Sequence, residues 1–374
     1  MKHIITPLLF LLIFSPAYLL AQEVSGELVT SRSSSADQFD VNGMNVTINS
    51  SAVSFPGAAV IPSPVDVQVS TDYSMLAALT GSGDGGKVEL YGEDGTLLNT
   101  ISGVILPDDD PSLAILPLAN GQFLVRKNIV NFSLYDSYGN IKDAVSNSSQ
   151  SEKGETISQM TASEDASTIV LYNPRINYEG SQGSRASILD ENGYLNSFFS
   201  SLRRTIVNVT VAAEGHFILV TTREAGTDDE VTLYDRFGNK LREFSIDEEL
   251  KGVTFGLGNF HIAAYSSGRV LVYNIFTGDR LGAASIRGNG QVLYAGYSHA
   301  DRQVLALTGA RNSNGMVSGG QVHAVHLEKR KIGKATLNGN FKLSEDVPLK
   351  LERRQSDLFR ISGTSRPVSI ETRF

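Results

Sequence analysis

The side chains of this chain best suited to chemistry are its carboxylates. Three acidic runs stand out, Asp108-Asp109-Asp110, Asp228-Asp229-Glu230 and Asp247-Glu248-Glu249, with Asp84 apart in the Gly-rich stretch SGDGG. Clustered carboxylates are hard oxygen donors, suited to Ca²⁺ or to a basic partner surface. No run has the ligand spacing of an EF-hand loop. Paired acids could also serve glycoside hydrolysis, but 40 Asp and Glu in 374 residues make such pairs common. No cofactor is expected, Ca²⁺ at these acids being the one exception weighed.

The other reactive side chains point nowhere in particular. His323 and His326 are three apart, so on a strand they face opposite sides and cannot share a metal. His216 and His299 fall in short turns. Serine is plentiful, but there is no G-x-S-x-G elbow. The glycines of residues 81–86 open no helix, so they do not read as a phosphate cradle. With no Cys, the chain has no disulfide, no thiolate metal site and no cysteine nucleophile. A formal net charge of −8 argues against a general nucleic-acid binder. Against that overall sign, residues 328–374 hold eleven bases and six acids.

The first 21 residues read as a signal peptide. Lys2 and His3 precede an almost wholly apolar run from Ile4 to Leu20, and Ala21 ends it. Two prolines and a length of 17 residues fit a cleaved leader better than a bilayer span, which needs roughly 20 apolar residues. No later segment approaches span length, so the chain is expected to be exported, to a bacterial periplasm or cell surface, without a transmembrane span.

What positions the acids is a repeat. VELYGEDGTLL (88–98), FSLYDSYGNIK (132–142), ASILDENGYLN (186–196), VTLYDRFGNKL (231–241) and VLVYNIFTGDRL (270–281) share one pattern. Alternating apolar residues end in Tyr or Leu, a polar turn with Gly follows, and a second apolar-rich stretch returns. Period-two alternation is a strand with one buried face, and the glycine supplies the positive φ at the reversal. A second hairpin precedes each copy, as in LAILPLANGQFLVR (113–126) and IVNVTVAAEGHFILVTT (206–222). Four strands in about 45 residues is the size of a propeller blade. The chain therefore resembles the β-propeller superfamily of WD40, YVTN and quinoprotein-like repeats, at superfamily level. It has no Trp, hence no Trp-Asp dipeptide, and PQQ binding is not implied.

The fold class expected is all-β, a propeller of four-stranded antiparallel blades. Six units fit between Pro64 and Thr336, the sixth with Lys329 where the others have the turn Gly. The remainder reads as three strands, in residues 348–354, 357–363 and 367–374. A strand from residues 24–61, with NVTI or AVSF (45–55) as the foremost candidates, is expected to pair with the last of these and close the ring. Seven blades is the preferred count, and six with a terminal β appendage is the alternative. The domain reading is then signal peptide 1–21, N-terminal segment 22–63 with the closing strand, and propeller 64–374.

In such a blade the first-to-second and third-to-fourth turns share one face, and the second-to-third turns and the links between blades share the other. Here the first set is short and the second holds nearly every long loop. Asp84, Asp108, Asp109, Asp110, Asp228, Asp229, Glu230, Asp247 and Glu248 all belong to the second set. Long loops on one face of a rigid scaffold are where binding resides. The expectation is a monomeric, non-catalytic scaffold that binds a protein or glycan by its loop-rich face. The rival is a propeller hydrolase or lyase with carboxylates near the central channel.

Overall fold

A computed structural model describes residues 23–28, 37–41, 44–49, 52–55, 60–62, 64, 66–69, 75–81, 85–92, 94–104, 115–118, 122–126, 131–146, 159–163, 167–178, 181–189, 195–313, 315–343, 349–364 and 368–373. The signal-peptide reading of residues 1–21 lies outside them. Among the described residues every regular element is a strand, and these strands form eight antiparallel sheets, seven of four strands and one of five.

The repeat accounts for six sheets: blade 1 (residues 66–104), blade 2 (115–146), blade 3 (159–201), blade 4 (205–246), blade 5 (252–285) and blade 6 (291–336). In each the strands lie side by side in chain order. The repeated glycines Gly95, Gly139, Gly238 and Gly278 have φ between 78° and 87°, the left-handed region that an L side chain resists. The residue ending the preceding strand, or next to it, secures the turn. Asp136 Oδ1 accepts the N–H of Tyr138 and Asn140, Asp235 Oδ1 that of Phe237 and Asn239, and Asn274 Oδ1 that of Phe276 and Thr277. These Asx turns explain why the Tyr-Asp/Asn pair recurs before the glycine. In the sixth unit, which has no glycine there, Arg330 takes the left-handed conformation at φ 53°.

Blade 7 closes the ring across the termini. Its strands Lys350–Arg353, Leu358–Ser362 and Val368–Arg373 are joined by Glu23–Leu28 as the fourth. The pairing runs from Glu23 opposite Arg373 to Leu28 opposite Val368, so the predicted union of an N-terminal strand with the last strand is present. The strand itself differs from the two candidates favoured. EVSGEL closes the ring because Leu28 is buried in the core shared with blade 6 and Gly26 lets the backbone press on that blade. A Cβ at Gly26 would stand 2.3 Å from Val322 Cγ2.

NVTI and AVSF belong instead to a separate four-stranded sheet, Asp37–Val41, Met44–Asn49, Ala52–Ser54 and Val60–Pro62. The seven expected units are thus all present as sheets, and the N-terminal segment adds an eighth. Its strands are short and lack the Tyr-Asp-Gly turn, which hid it from a search by repeat. Phe55 joins it to blade 1, its ring 5.4 Å from that of Tyr91.

The apolar core lies between neighbouring sheets. Met75, Leu79 and Val88 of blade 1 pack with Ile115, Phe123 and Tyr135 of blade 2, and Ala263 and Val272 of blade 5 with Val304 and Val325 of blade 6. First strands line the axis. Thr210 Oγ1 donates to the Val253 carbonyl (2.7 Å) and Thr254 Oγ1 to the Ala295 carbonyl (2.6 Å), a tie repeated from blade 4 to 5 to 6. Blade 6 has an extra strand, Phe341–Lys342, paired with Met316 and Val317.

Candidate functional site

The two faces assort as the loop lengths require. In blade 4 (Thr205–Val211, Phe217–Arg223, Asp229–Asp235, Lys240–Ile246) the turns 212–216 and 236–239 share one end. The loop 224–228 and the link 247–251 share the other. Of the nine acids expected at the loop-rich face, Asp84, Asp108, Asp109 and Asp110 lie outside the described residues. Of the other five, Asp228, Asp229, Asp247 and Glu248 line a depression of about 280 Å³ formed by the 224–228 loop and the 247–249 link, and Glu230 lies outside that lining.

Arginines occupy three of the five, Asp229, Glu230 and Glu248. Asp229, only 3% exposed, accepts Arg223 Nε at 2.8 Å and Nη2 at 2.6 Å, and the Leu250 N–H at 2.7 Å. Arg223 also donates to the Leu250 carbonyl (2.7 Å) and reaches Glu249 at 3.4 Å. The hydrogen bond to Asp229 drives the guanidinium pKa still higher. Arg204 meets Glu230 at 3.0 Å and Glu224 at 3.6 Å, and donates to the carbonyls of Thr222 and Asp228. Glu248 accepts Arg269 Nη1 (2.8 Å) and Ser266 Oγ (2.7 Å) from blade 5. Asp228 accepts Ser245 Oγ at 3.1 Å. Asp228 and Asp247 are exposed, and Asp247 has no ion pair among the described residues.

Chemically this is a bracing lattice. Arg204 and Arg223 tie the loop 224–228 and the link 247–251 to blade 4, and Arg269 ties the link to blade 5. Among the described residues no group of three or more His, Asp or Glu is arranged to hold a metal ion.

The channel tells a similar story. A cavity of about 350 Å³ opens toward the tight-turn face, lined by the ends of the first strands of blades 4, 5 and 7 with Tyr294 of blade 6. Two carboxylates, Glu214 and Glu352, line it. Glu352 accepts Ser362 Oγ at 2.7 Å and pairs with Arg354, and Glu214 stands 3.9 Å from His216. Both acids are thus engaged by neighbouring polar groups of the protein.

Three features escaped sequence reasoning. His261 is buried with its ring stacked on His299 at 4.3 Å, and burial, with the charges of His299 and Arg302, lowers its pKa. The tight-turn face exposes the aromatic rings Tyr138, Phe237 and Phe276, each within a repeated turn. Lastly, a larger polar pocket lies on the loop-rich side between blades 5 and 6. Its only sequence signal is a base within the Gly-Asn-Gly stretch IRGNG (286–290).

No family model matches the chain, and no curated protein does. Among solved structures, the crystal structure of BamB from Moraxella catarrhalis matches with a TM-score of 0.52 over 93% of this chain and 99% of that one, at 13% identity. The likeness is one of fold. It agrees with the β-propeller reading, and no residue role passes across at such identity.

Proposed function

We propose that this protein is an exported, non-catalytic propeller scaffold that binds a protein or glycan through its loop-rich face. The observation that carries the reading is the bracing of that face. Loops long enough to be floppy are held by Arg204, Arg223 and Arg269 onto rigid blades, so the surface they form is set before a partner arrives. Preorganised loops lose little entropy on binding, which is what a recognition surface needs. Asp228 and Asp247 are exposed on that surface and are the first contacts proposed for a basic partner group.

Site-specific photocrosslinking in the producing cell tests this. A crosslinker at Asp247 is expected to trap a discrete partner, and one at Phe237 on the opposite face is not. Adducts at Phe237 alone would transfer the binding role to the tight-turn face. Export is read separately, by finding the mature N-terminus at Gln22 in the envelope or medium fraction.

A further inference from the structure

The pocket between blades 5 and 6 differs from the acidic depression in size, sign and construction. It measures about 660 Å³, within the range of small-molecule sites. One wall is the Ser267–Gly268 turn of blade 5, and a second is the link 286–290. The third is blade 6, where Thr308, Gln321 and Lys334 come from three adjacent strands.

Backbone bonds fix these walls before any ligand arrives. Ile286 N–H donates to the Gly268 carbonyl at 2.9 Å and Val292 N–H to the Ser267 carbonyl at 3.0 Å. Asn289 N–H donates to Gln321 Oε1 at 3.1 Å. Gly288 presses into the floor so closely that a Cβ there would stand 2.5 Å from Thr308 Oγ1 and 2.7 Å from His323 Nε2. His323 and Thr308 are hydrogen-bonded to each other at 3.0 Å, and both are buried.

Charge gives the pocket its selectivity. Arg287 and Lys334 line it and no carboxylate does. Neither base makes an ion pair among the described residues, whereas Arg204, Arg223 and Arg269 nearby are all matched by acids. Two unmatched cations in a chain of net charge −8 create a local positive field that attracts an anion. The rest of the lining is hydroxyl, carboxamide and glycine backbone, with Ile286 the one apolar side chain larger than glycine. Such walls suit a hydroxylated ligand.

We infer that this pocket binds a sugar acid or sugar phosphate, its carboxylate or phosphate held by Arg287 and Lys334 and its hydroxyls by the polar walls. The same chemistry is offered by a free sugar and by the end group of an envelope glycan. The inference deepens the reading of the loop-rich face as the binding face and rests on it for the glycan source alone. Binding of the free sugar stands or falls separately from the crosslinked partner.

Calorimetric titration of the purified chain tests it, with glucuronate, glucose 6-phosphate, inorganic phosphate and glucose as probes. Glucuronate or glucose 6-phosphate is expected to bind saturably and glucose much more weakly. Arg287→Gln and Lys334→Gln, both at exposed positions, are each expected to weaken binding about tenfold, the weight of one charge-assisted hydrogen bond. Arg236→Gln, on the other face, leaves it unchanged. A uronate-ended oligosaccharide that binds more tightly than glucuronate identifies the glycan end as the source, and equal affinity identifies the free sugar. Absence of saturable binding by both charged sugars overturns the inference. So does glucose binding as well as they do, or indifference to both substitutions. Phosphate binding as tightly as glucose 6-phosphate would reduce the pocket to a bare anion site and overturn the assignment to sugars.

Discussion

Replacing Asp229 by Ala separates a structural acid from a binding one. The carboxylate accepts two bonds from Arg223 and one from the Leu250 amide, whose residue is 1% exposed. Removal of one partner from a buried ion pair costs about 3–5 kcal/mol, much of it from stranding the other charge. Arg223 is not fully stranded, because its side chain is 31% exposed and still reaches Glu249 and the Leu250 carbonyl. The buried Leu250 N–H has no such relief, and an unsatisfied buried donor costs about 1–3 kcal/mol. The loss is therefore placed at about 3 kcal/mol, near the lower end for a buried pair.

Urea denaturation measures it, with Asp228→Ala as the neighbour that isolates burial from charge. Asp228 is exposed and makes one side-chain hydrogen bond, from Ser245, so its loss stays within about 0.5 kcal/mol. Asp229→Asn falls between, since the amide oxygen can still accept the Leu250 N–H. In a double-mutant cycle Arg223→Ala and Asp229→Ala couple by about 2 kcal/mol or more. The reasoning fails if Asp228→Ala and Asp229→Ala unfold at the same urea concentration. It also fails if Asp229→Ala abolishes partner crosslinking while leaving stability intact, for the acid would then act on the ligand.

Four further outcomes follow from single elements. Burial, and then the charge of Lys334, lowers the His323 pKa to about 4. The unfolded chain therefore takes up the proton first: stability is full above about pH 6.5 and falls toward pH 4, by about 3 kcal/mol for this group at most. His323→Gln should flatten that part of the pH–stability curve, with a smaller slope left by His261 and His326, whose pKa values are lowered too. A chain beginning after Leu28 should lose stability or aggregate, because Val368–Arg373 becomes an open edge; melting like the intact chain would contradict the closure. Arg330→Gly should raise stability by about 1 kcal/mol by relieving a left-handed residue. Gly238→Ala should lower it by at least as much, its Cβ falling 2.5 Å from that of Phe198.

The fold was legible because the blade is written twice, in the alternation of its strands and in its turn. Leu-Tyr-Asp followed by Gly announces both a buried face and an Asx turn, and the structure uses each residue for those purposes. The N-terminal sheet has alternation at Val46 and Ile48 but not the Leu-Tyr-Asp turn. Residues 37–62 form strands of three to six residues without the Tyr-Asp-Gly turn of the repeat, so arithmetic on that repeat left them over as a loose segment. The closing strand was misplaced for a related reason. Alternation favoured Val46 and Ile48, whereas the contact that matters is made by a glycine, Gly26, whose missing side chain is the fit.

The loop-rich face shows why a sequence cannot be read for charge by counting. The acids run consecutively and are conspicuous, while the arginines that neutralise them come from other places in the chain. Arg204 is 26 residues from Glu230, Arg223 is 6 from Asp229, and Arg269 is 21 from Glu248. Only the sheet pairing, which sets Thr205 opposite Arg223 at one end of the blade, brings them over the acids. Arg287 stands alone in sequence and Lys334 is one of the eleven bases of residues 328–374, yet three strands and a glycine link gather these two unmatched bases into one pocket. Field at a surface follows from what remains after pairing. Among the described residues of this face that remainder includes an exposed Asp228 and Asp247 at blade 4, and Arg287 and Lys334 beside blade 6. A ligand that bridges both regions would have to carry an anionic end toward blade 6 and a cationic group toward blade 4.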